Sequence, residues 1–253
     1  MSRNNKIDRK IKKKKSRLIF IIILLLTSVF LILYTKTSFF HISSIEVNGN
    51  SKITDEKLIL ASGIMIDENI FKINLKMAKE NIMLHPYAKN VKLRRRLPNK
   101  IVINIDERKE VAIFTYIGSY VYIDEEGIIL NILSEKNDET IMEINGIEII
   151  KPEIGNKIDF NNEETYEKML EFIDDSINLG LSVSFDTVSI DENGKLTIYL
   201  DNGAEVAFGT LDDVKYKLKF LMSILEELKS KNQSYKGIHL DKGNNAIIIK
   251  DKN

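Results

Sequence analysis

The arrangement of apolar and polar residues divides the chain into segments of different kinds. Residues Leu18–Tyr34 form an uncharged run in which only Thr27 and Ser28 are polar. As a helix this run would measure about 26 Å at about 1.5 Å per residue, close to the roughly 30 Å of a bilayer's hydrocarbon core. The pattern predicts a transmembrane helix over residues 18–35.

The next part of the chain, residues 42–107, changes between strand and helix periodicity. Thr54 is placed to cap a helix that Gly63 ends, and Pro86 prevents a second helix from continuing. This order predicts a small α+β unit with its helices on one face of a sheet. The predicted elements are a strand at Ile42–Val47, helices at Thr54–Gly63 and Leu75–Leu84, and strands at Ala88–Arg95 and Lys100–Asp106.

From Val111 onward the pattern is mostly that of short strands separated by glycine-containing turns. Two amphipathic helices interrupt it: Glu163–Leu179, and one that begins after Thr210–Asp213, a sequence similar to a capping box. The whole chain is therefore predicted to be α+β, with one N-terminal transmembrane helix, a β-α-α-β-β domain and a β-rich mixed domain with two helices. The predicted strands of the last domain are Val111–Tyr116, Tyr120–Ile123, Ile128–Leu130, Val188–Ile190, Leu196–Leu200, Glu205–Phe208, Gly237–Leu240 and Ala246–Lys250.

The charge balance conceals two oppositely charged parts. The 37 basic and 37 acidic residues cancel, yet residues 1–17 contain nine basic residues and a single acidic one. Basic residues that flank a span stay in the cytoplasm, so this tail predicts a cytoplasmic N-terminus and export of the chain after Thr35. The residues expected to determine this topology are Lys12, Lys13, Lys14, Lys15 and Arg17.

Two other interpretations of the N-terminus are weaker. A cleaved signal peptide needs a small-residue cleavage site, but the first alanine is Ala61 and the first glycine is Gly49. A nucleic-acid-binding role for the lysine run is not needed, because orientation and attraction to anionic lipid explain the run. An uncleaved anchor is therefore the expectation.

The sequence offers no arrangement typical of catalysis or cofactor binding. Cysteine is absent, and His41, His85 and His239 are far apart, without partners at metal-ligand spacing. Asp124–Gly127 and Asp191–Gly194 could be calcium loops, but both lack the ligands that should follow and are interpreted as hairpin turns. We therefore expect no enzyme activity, no metal and no cofactor.

Two segments have interpretations that the residues alone leave open. Arg94–Arg96 lies at a predicted hairpin tip and is either a group of solvated charges or a contact with a membrane or a partner. Ala246–Ile249 is strongly β-prone, and it is either an ordinary core strand or an edge strand to which another chain can add.

Several short segments, in this order and spacing, resemble the FtsQ/DivIB family of bacterial cell-division proteins. They follow a basic tail and one predicted span, and the similarity covers most of the chain. One departure is Lys109-Glu110, which stands where the family usually has a proline after Glu-Arg. The segments are Val47–Asn50, Leu97-Pro98 with Ile101–Arg108, Val111-Ala112, Tyr122–Gly127 with Leu130, and Leu200–Val206 with Phe208-Gly209.

With this resemblance, the expected order is a basic cytoplasmic tail at 1–17, a transmembrane helix at 18–35, a POTRA (polypeptide-transport-associated) domain at 40–108 and a β-rich family domain at 109–250. The resemblance implies a non-enzymatic divisome scaffold at the septum that binds FtsB/DivIC-like and FtsL-like bitopic division proteins. In that family a partner adds a strand beside the late strands, here supported by Gly237–Leu240. The matching positions are Ala246, Ile247, Ile248, Ile249 and Lys250.

Two further functional classes stay open. A POTRA-bearing assembly or translocation factor would need repeated POTRA units or a barrel of many alternating strands, and the sequence shows neither. A membrane-anchored envelope hydrolase would need a nucleophile or metal pattern, which the sequence lacks.

Overall fold

The computed structural model describes residues 2–161, 163–242 and 245–251, with side chains from Lys14 onward except that of Glu163. These residues form two compact units, which are described separately below. One comprises Met1–Met83 with Asn90–Asp106, and the other comprises Leu84–Lys89 with Glu107–Asn253.

The chain begins with one long helix, α1, at Ser2–Thr35. Its segment Lys14–Thr35 has a mean hydropathy of 2.9 and is long and apolar enough to cross a membrane. The side chains of Lys14, Lys15 and Arg17 are exposed at the start of this segment. Those of Lys12 and Lys13 lie outside the described part of the chain.

The first unit has the predicted element order, strand-helix-helix-strand-strand. Its three strands lie in the order β1-β3-β2, and β1 runs parallel to β3. Thr54 caps α2 as predicted, since its side chain accepts a hydrogen bond from the Lys57 amide at 3.4 Å. The elements are β1 (Ser44–Asn48), α2 (Asp55–Ser62), α3 (Leu75–Met83), β2 (Ala88–Arg96) and β3 (Lys100–Glu107).

The turn after β1 requires a glycine for two reasons. Gly49 has a φ of +90°, and a Cβ atom at this position would lie 2.2 Å from the carbonyl oxygen of Ile105. Side chains are disfavoured at such a φ, and the approach of two backbones leaves no space for one. Close packing of the turn against β3 thus explains the glycine of the Val47–Asn50 segment.

The second unit is built on a nine-stranded sheet with α4 (Glu163–Asn178) and α5 (Val214–Ser230). Buried residues of both helices, including Met169, Phe172 and Leu218, belong to the same hydrophobic core as the sheet. The strands are β4 (Ala112–Tyr116), β5 (Ser119–Ile123), β6 (Ile129–Leu133), β7 (Met142–Asn145), β8 (Phe185–Ile190), β9 (Lys195–Leu200), β10 (Glu205–Thr210), β11 (Tyr235–His239) and β12 (Ile247–Lys250), in the spatial order β12-β11-β10-β9-β8-β7-β4-β5-β6.

One row of apolar side chains crosses this sheet from edge to edge. Each member is the register partner of the next, so all lie on the same face of the sheet. The seven inner members are buried, whereas the two end members, Ile132 and Ile248, are only partly covered. The row is Ile132, Val121, Phe114, Ile144, Val188, Ile198, Val206, Ile238 and Ile248.

Strand β7 was not predicted from the sequence, although it joins the two halves of the sheet. It pairs in parallel with β4 on one side and with β8 on the other. The segment Met142–Asn145 has only two apolar residues, Met142 and Ile144, and both are buried. A run this short gives too little periodicity to be recognised.

The predicted capping box before α5 is wrong. Thr210 still belongs to β10 and pairs with Lys195, so it cannot cap the helix. The helix instead begins after Asp213, which has a left-handed φ of 53° and makes no capping hydrogen bond through its side chain.

Gly146, directly after β7, provides a test of the joint between the two halves of the sheet. A Cβ at this position would lie 2.0 Å from the carbonyl oxygen of Ile190, whereas Gly155 has the same φ of +88° with nothing within 4 Å. We expect Gly146→Ala to cost about 2 kcal/mol more than Gly155→Ala, a difference of about 4–8 °C in Tm. Thermal unfolding of both proteins in detergent micelles measures the difference. Equal losses would mean that only the backbone φ matters at these positions.

Candidate functional site

Strand β12 is one edge of the nine-stranded sheet and carries the residues that the sequence assigned to partner binding. Within the described part of the chain it pairs only with β11, in antiparallel register, through Gly237↔Ile249, Ile238↔Ile248 and His239↔Ile247. The described residues leave its other side open. Ile247, Ile248 and Ile249 are all exposed, and Ala246 packs partly against the core.

The hydrogen bonds of β11 show which backbone groups of β12 face outward. The Leu240 amide donates to the Ala207 carbonyl of β10 at 2.9 Å. Polar groups alternate in direction along a strand, so Ile238 also faces β10, while Gly237 and His239 face β12. Ile247 and Ile249 therefore exchange hydrogen bonds with β11.

By the same alternation, Ile248 belongs to a pair without direct backbone hydrogen bonds. Its N–H and C=O point away from β11, toward the open side of the sheet. An edge that presents such groups can accept the backbone of a further strand. Ile248 is thus an apolar residue whose backbone offers both a hydrogen-bond donor and an acceptor to the open side of the sheet.

The side chains of β12 continue the two faces of the sheet. Ile248 lies beside Ile238 at the end of the apolar row and is 38% exposed, although Ile238 is fully buried. Ile247 and Ile249 lie on the opposite face, where Gly237 has no side chain to cover Ile249. Among the described residues, the row of the core therefore ends at this edge without a neighbour for its last member.

A buried ionic cluster in the same unit lies apart from this edge. Arg108 forms ion pairs with Asp124 and, at 2.6 Å, with Glu126. The side chain of Arg108 is 15% exposed and that of Asp124 only 2%. Lys89 adds an ion pair with Glu125 at 2.5 Å. The cluster joins two of the sequence segments noted above, the one ending in Glu107-Arg108 and the one containing Asp124–Gly127.

The pKa values of Glu126 in the cluster and of the nearby Tyr87 are shifted. The hydrogen bond from Arg108 lowers the pKa of Glu126, although partial burial opposes this. Burial raises the pKa of Tyr87, which also donates a hydrogen bond to Glu110. The ion pairs attach Lys89 and Arg108 to the turn at 124–126, and the Tyr87–Glu110 hydrogen bond joins the segments 84–89 and 107–111. Their arrangement is that of structural contacts.

The residues considered as catalytic or metal-binding candidates have local structural roles. His85 accepts a hydrogen bond from the Tyr87 amide, and His239 contacts Asp241 at 3.2 Å. Asp124 and Asp191 each accept two backbone amide hydrogen bonds within their own turns, as expected for hairpin turns. Among the described residues no group of three or more acidic, histidine or cysteine side chains could hold a metal ion.

Comparison with known proteins supports the family suggested by the sequence. The family described as "POTRA domain, FtsQ-type" matches residues 40–108, and "Cell division protein FtsQ/DivIB, C-terminal" matches residues 113–241. The cell division protein DivIB of Clostridium botulinum strain Hall is 31% identical over 244 residues, which cover 95% of this chain and 94% of the relative. The chain belongs to the FtsQ/DivIB family.

The sequence similarity extends to a more distant member of the FtsQ/DivIB family. The cell division protein DivIB of Bacillus subtilis strain 168 is 25% identical over 92% of this chain and 84% of its own length. A solved structure of the major extracytoplasmic domain of the trans isomer of DivIB from Geobacillus stearothermophilus covers 49% of this chain and 97% of its own, with 12% identity and a TM-score of 0.34. The chain is thus a cell-division protein with one N-terminal helix able to span a membrane.

The match to the FtsQ/DivIB C-terminal domain ends at Asp241, before β12 begins. The open edge at β12 is therefore described by the geometry of this chain alone. The sequence could identify the apolar stretch at 246–249, but it contained no signal for the direction of the Ile248 N–H, because that direction depends on the pairing of β11 with β10.

The ionic cluster gives a prediction about stability. We expect Arg108→Leu to lower the free energy of unfolding by about 3 kcal/mol, because it leaves the buried Asp124 carboxylate without its cation. Arg96→Leu is the control, since the ion pair of Arg96 with Glu46 is long, 3.7 Å, and exposed, and its loss should cost less than about 0.5 kcal/mol. Urea unfolding compares the two. Adding Asp124→Asn to Arg108→Leu should recover part of the loss.

The backbone geometry of β12 gives a prediction about hydrogen exchange. In the protein without a partner, the amides of Ile247 and Ile249 should exchange slowly and the amide of Ile248 much faster, because only the first two donate to β11. Amide exchange followed by nuclear magnetic resonance distinguishes these three positions. Protection of all three in the isolated protein would show that the outer side of β12 is already covered.

Proposed function

We propose that this protein is a bitopic scaffold of the divisome, which binds other bitopic division proteins of the FtsB/DivIC and FtsL type through the open edge at β12. The observation that carries the proposal is the outward direction of the Ile248 N–H and C=O at the exposed end of the apolar row. In this role the protein acts by holding partners in place and not by catalysis.

The chemistry of the edge specifies what a partner segment must provide. An added strand would accept a hydrogen bond from the Ile248 N–H and donate one to its C=O. It would also place an apolar side chain beside Ile248, which extends the row of the core by one member. Apolar residues on its other face would cover Ile247 and Ile249. A short segment of consecutive apolar residues meets these requirements.

The topology of the anchor is part of the proposal. Lys14, Lys15 and Arg17 lie at the start of the candidate span, and Lys12 and Lys13 precede them in sequence. By the positive-inside rule these residues keep the tail in the cytoplasm, so the part of the first unit that follows α1 and the whole second unit face the outside. We place the POTRA domain at 40–108 and the β-rich domain at 109–250, and we expect the protein at the division septum.

Replacement of Ile248 by proline tests the edge directly. The Ile248 N–H is not used by β11, so Ile248→Pro should leave the β11–β12 pair intact and remove the donor offered to the partner. We expect a loss of about tenfold in affinity for the purified FtsB/DivIC-type partner of the same cell, since an unpaired interface group costs about 1–3 kcal/mol. Calorimetric titration measures the affinity.

Two matched variants separate this effect from unfolding. Ile248→Val keeps the N–H and should bind normally, whereas Ile249→Pro removes a donor to Gly237 and should disturb the β11–β12 pair itself. Normal binding by a folded Ile248→Pro protein would show that the partner uses a different surface.

A further inference from the structure

The end of α1 is fixed to the first unit by a side chain from much later in the sequence. Asn69 donates through its Nδ2 to the carbonyl oxygen of Thr35 at 2.7 Å, and Asn69 itself is only 7% exposed. His41 forms a β-bridge with Asn69 in the same place. A helix normally leaves its last carbonyl groups without partners, so this contact acts as a cap supplied by the folded unit. The unit therefore begins directly where the candidate span ends.

An aromatic cluster surrounds this junction. The rings of Tyr34 and Phe40 are 5.3 Å apart, those of Phe39 and Phe40 are 5.1 Å apart, and those of Phe40 and Phe71 are 5.1 Å apart. Phe40 is buried in the middle, but Phe39 is 54% and Phe71 45% exposed. Aromatic rings are enriched at the level of the lipid headgroups, where an apolar ring can lie at the border with water. Phe71 comes from the folded unit and not from the helix.

The hairpin tip between β2 and β3 lies at the same end of the unit. Arg95 donates to the carbonyl oxygens of Ile70 at 2.8 Å and Ile73 at 2.6 Å, on either side of Phe71. The amide of Ser43 donates to the Asn99 carbonyl at 2.8 Å, which attaches the other side of the tip close to the junction. Arg95 is exposed, and it also has a structural role, because these two hydrogen bonds fix the tip beside Phe71.

This end of the unit carries both basic and acidic residues, and its exposed basic side chains favour the binding of anions. Lys36 follows the span, Lys72 follows Phe71, and the exposed Arg94 precedes Arg95 near the end of β2, just before the tip. The nearest acidic residues in the chain are Asp67 and Glu68, and Glu46 pairs with Arg96 at 3.7 Å. Lysine and arginine side chains beside a membrane are attracted to anionic headgroups, and their apolar stems can lie along the lipid boundary.

We propose that these residues form a lipid-binding surface of the POTRA domain, here called the exit face: Lys36, Phe39, Phe71, Lys72, Arg94 and Leu97. Phe39 and Phe71 enter the interfacial layer of the bilayer, and the three cations bind the phosphates of anionic phospholipids. Leu97 is exposed at the tip and adds apolar surface. The occupant is the bilayer because the surface continues directly from the end of the span. The inference rests on the proposed anchoring and goes beyond it, since a scaffold needs a span only as a tether.

Tryptophan substitutions in the full-length chain test the exit face. The natural chain contains no tryptophan, so each variant has a single tryptophan, whose emission is excited selectively over that of the nine tyrosines. The protein is placed in nanodiscs of phosphatidylcholine and phosphatidylglycerol whose acyl chains carry bromine, a contact quencher, near the headgroup. For Phe71→Trp we expect an emission loss of about half, as suits a ring at the headgroup level. Asn48→Trp, at the far end of β1 about 13 Å along the strand from Ser44, should lose little.

A third variant reports on the anchoring itself. Leu25→Trp lies near the middle of the candidate span and should be quenched when the bromine is placed deep in the acyl chains. If it is not, the anchoring fails and the exit face fails with it. If Leu25→Trp is quenched but Phe71→Trp behaves like Asn48→Trp, the anchoring stands and the exit face is overturned. A protein partner on this surface in place of lipid would give that second result.

Charge reversal tests the role of the cations. In the Phe71→Trp protein, Lys72→Glu together with Arg94→Glu should abolish the additional quenching that phosphatidylglycerol gives over pure phosphatidylcholine. Lys57→Glu together with Lys79→Glu changes the net charge equally on exposed positions of α2 and α3 and should leave the quenching unchanged. Equal losses in both double variants would assign the effect to net charge and overturn the role of the exit face.

Discussion

A single register of apolar side chains, kept across parallel and antiparallel neighbours alike, determines the second unit. Ile144 meets Phe114 on one side and Val188 on the other, so the short strand β7 transmits this register between the two halves. A slip of one residue in any strand would move its row member to the opposite face. The two helices can cover the sheet as one layer because every strand presents its apolar residue on the same side.

The same register produces the surface proposed for partner binding. A row that ended on a polar residue, or on a strand covered by a helix, would leave nothing for another chain to complete. Here the row ends on Ile248, whose neighbour Ile238 is fully buried while Ile248 itself is not. The same apolar row therefore packs the core and ends in the proposed binding edge. A strand added by a partner would place an apolar residue beside Ile248, as each strand of the sheet does beside its neighbour.

Much of this architecture could be predicted from the sequence because it depends on local patterns. The candidate span, the caps at Thr54 and Gly63 and most of the strands were predicted within a few residues of their observed limits, although α1 extends from the span back to Ser2. The features that the sequence did not reveal depend on contacts between residues that are far apart in the chain. Thr210 has the composition of a cap, but pairing with Lys195 keeps it in a strand. Arg95 is one of three consecutive arginines, and only the fold brings it to the carbonyls of Ile70 and Ile73. The direction of the Ile248 amide depends likewise on a neighbouring strand.

Strand β7 also has a consequence for the order in which the sheet forms. The hairpin-linked strands β4–β6 and β8–β10 are neighbours in sequence, so each group can form from local contacts. The parallel pairs that β7 makes need a long loop to close first, and such contacts form slowly. Because β7 is made before β8, it can pair with β4 while its other side is still an uncovered inner edge. That edge is covered only after residues 146–184 have been made and β8 can pair with it.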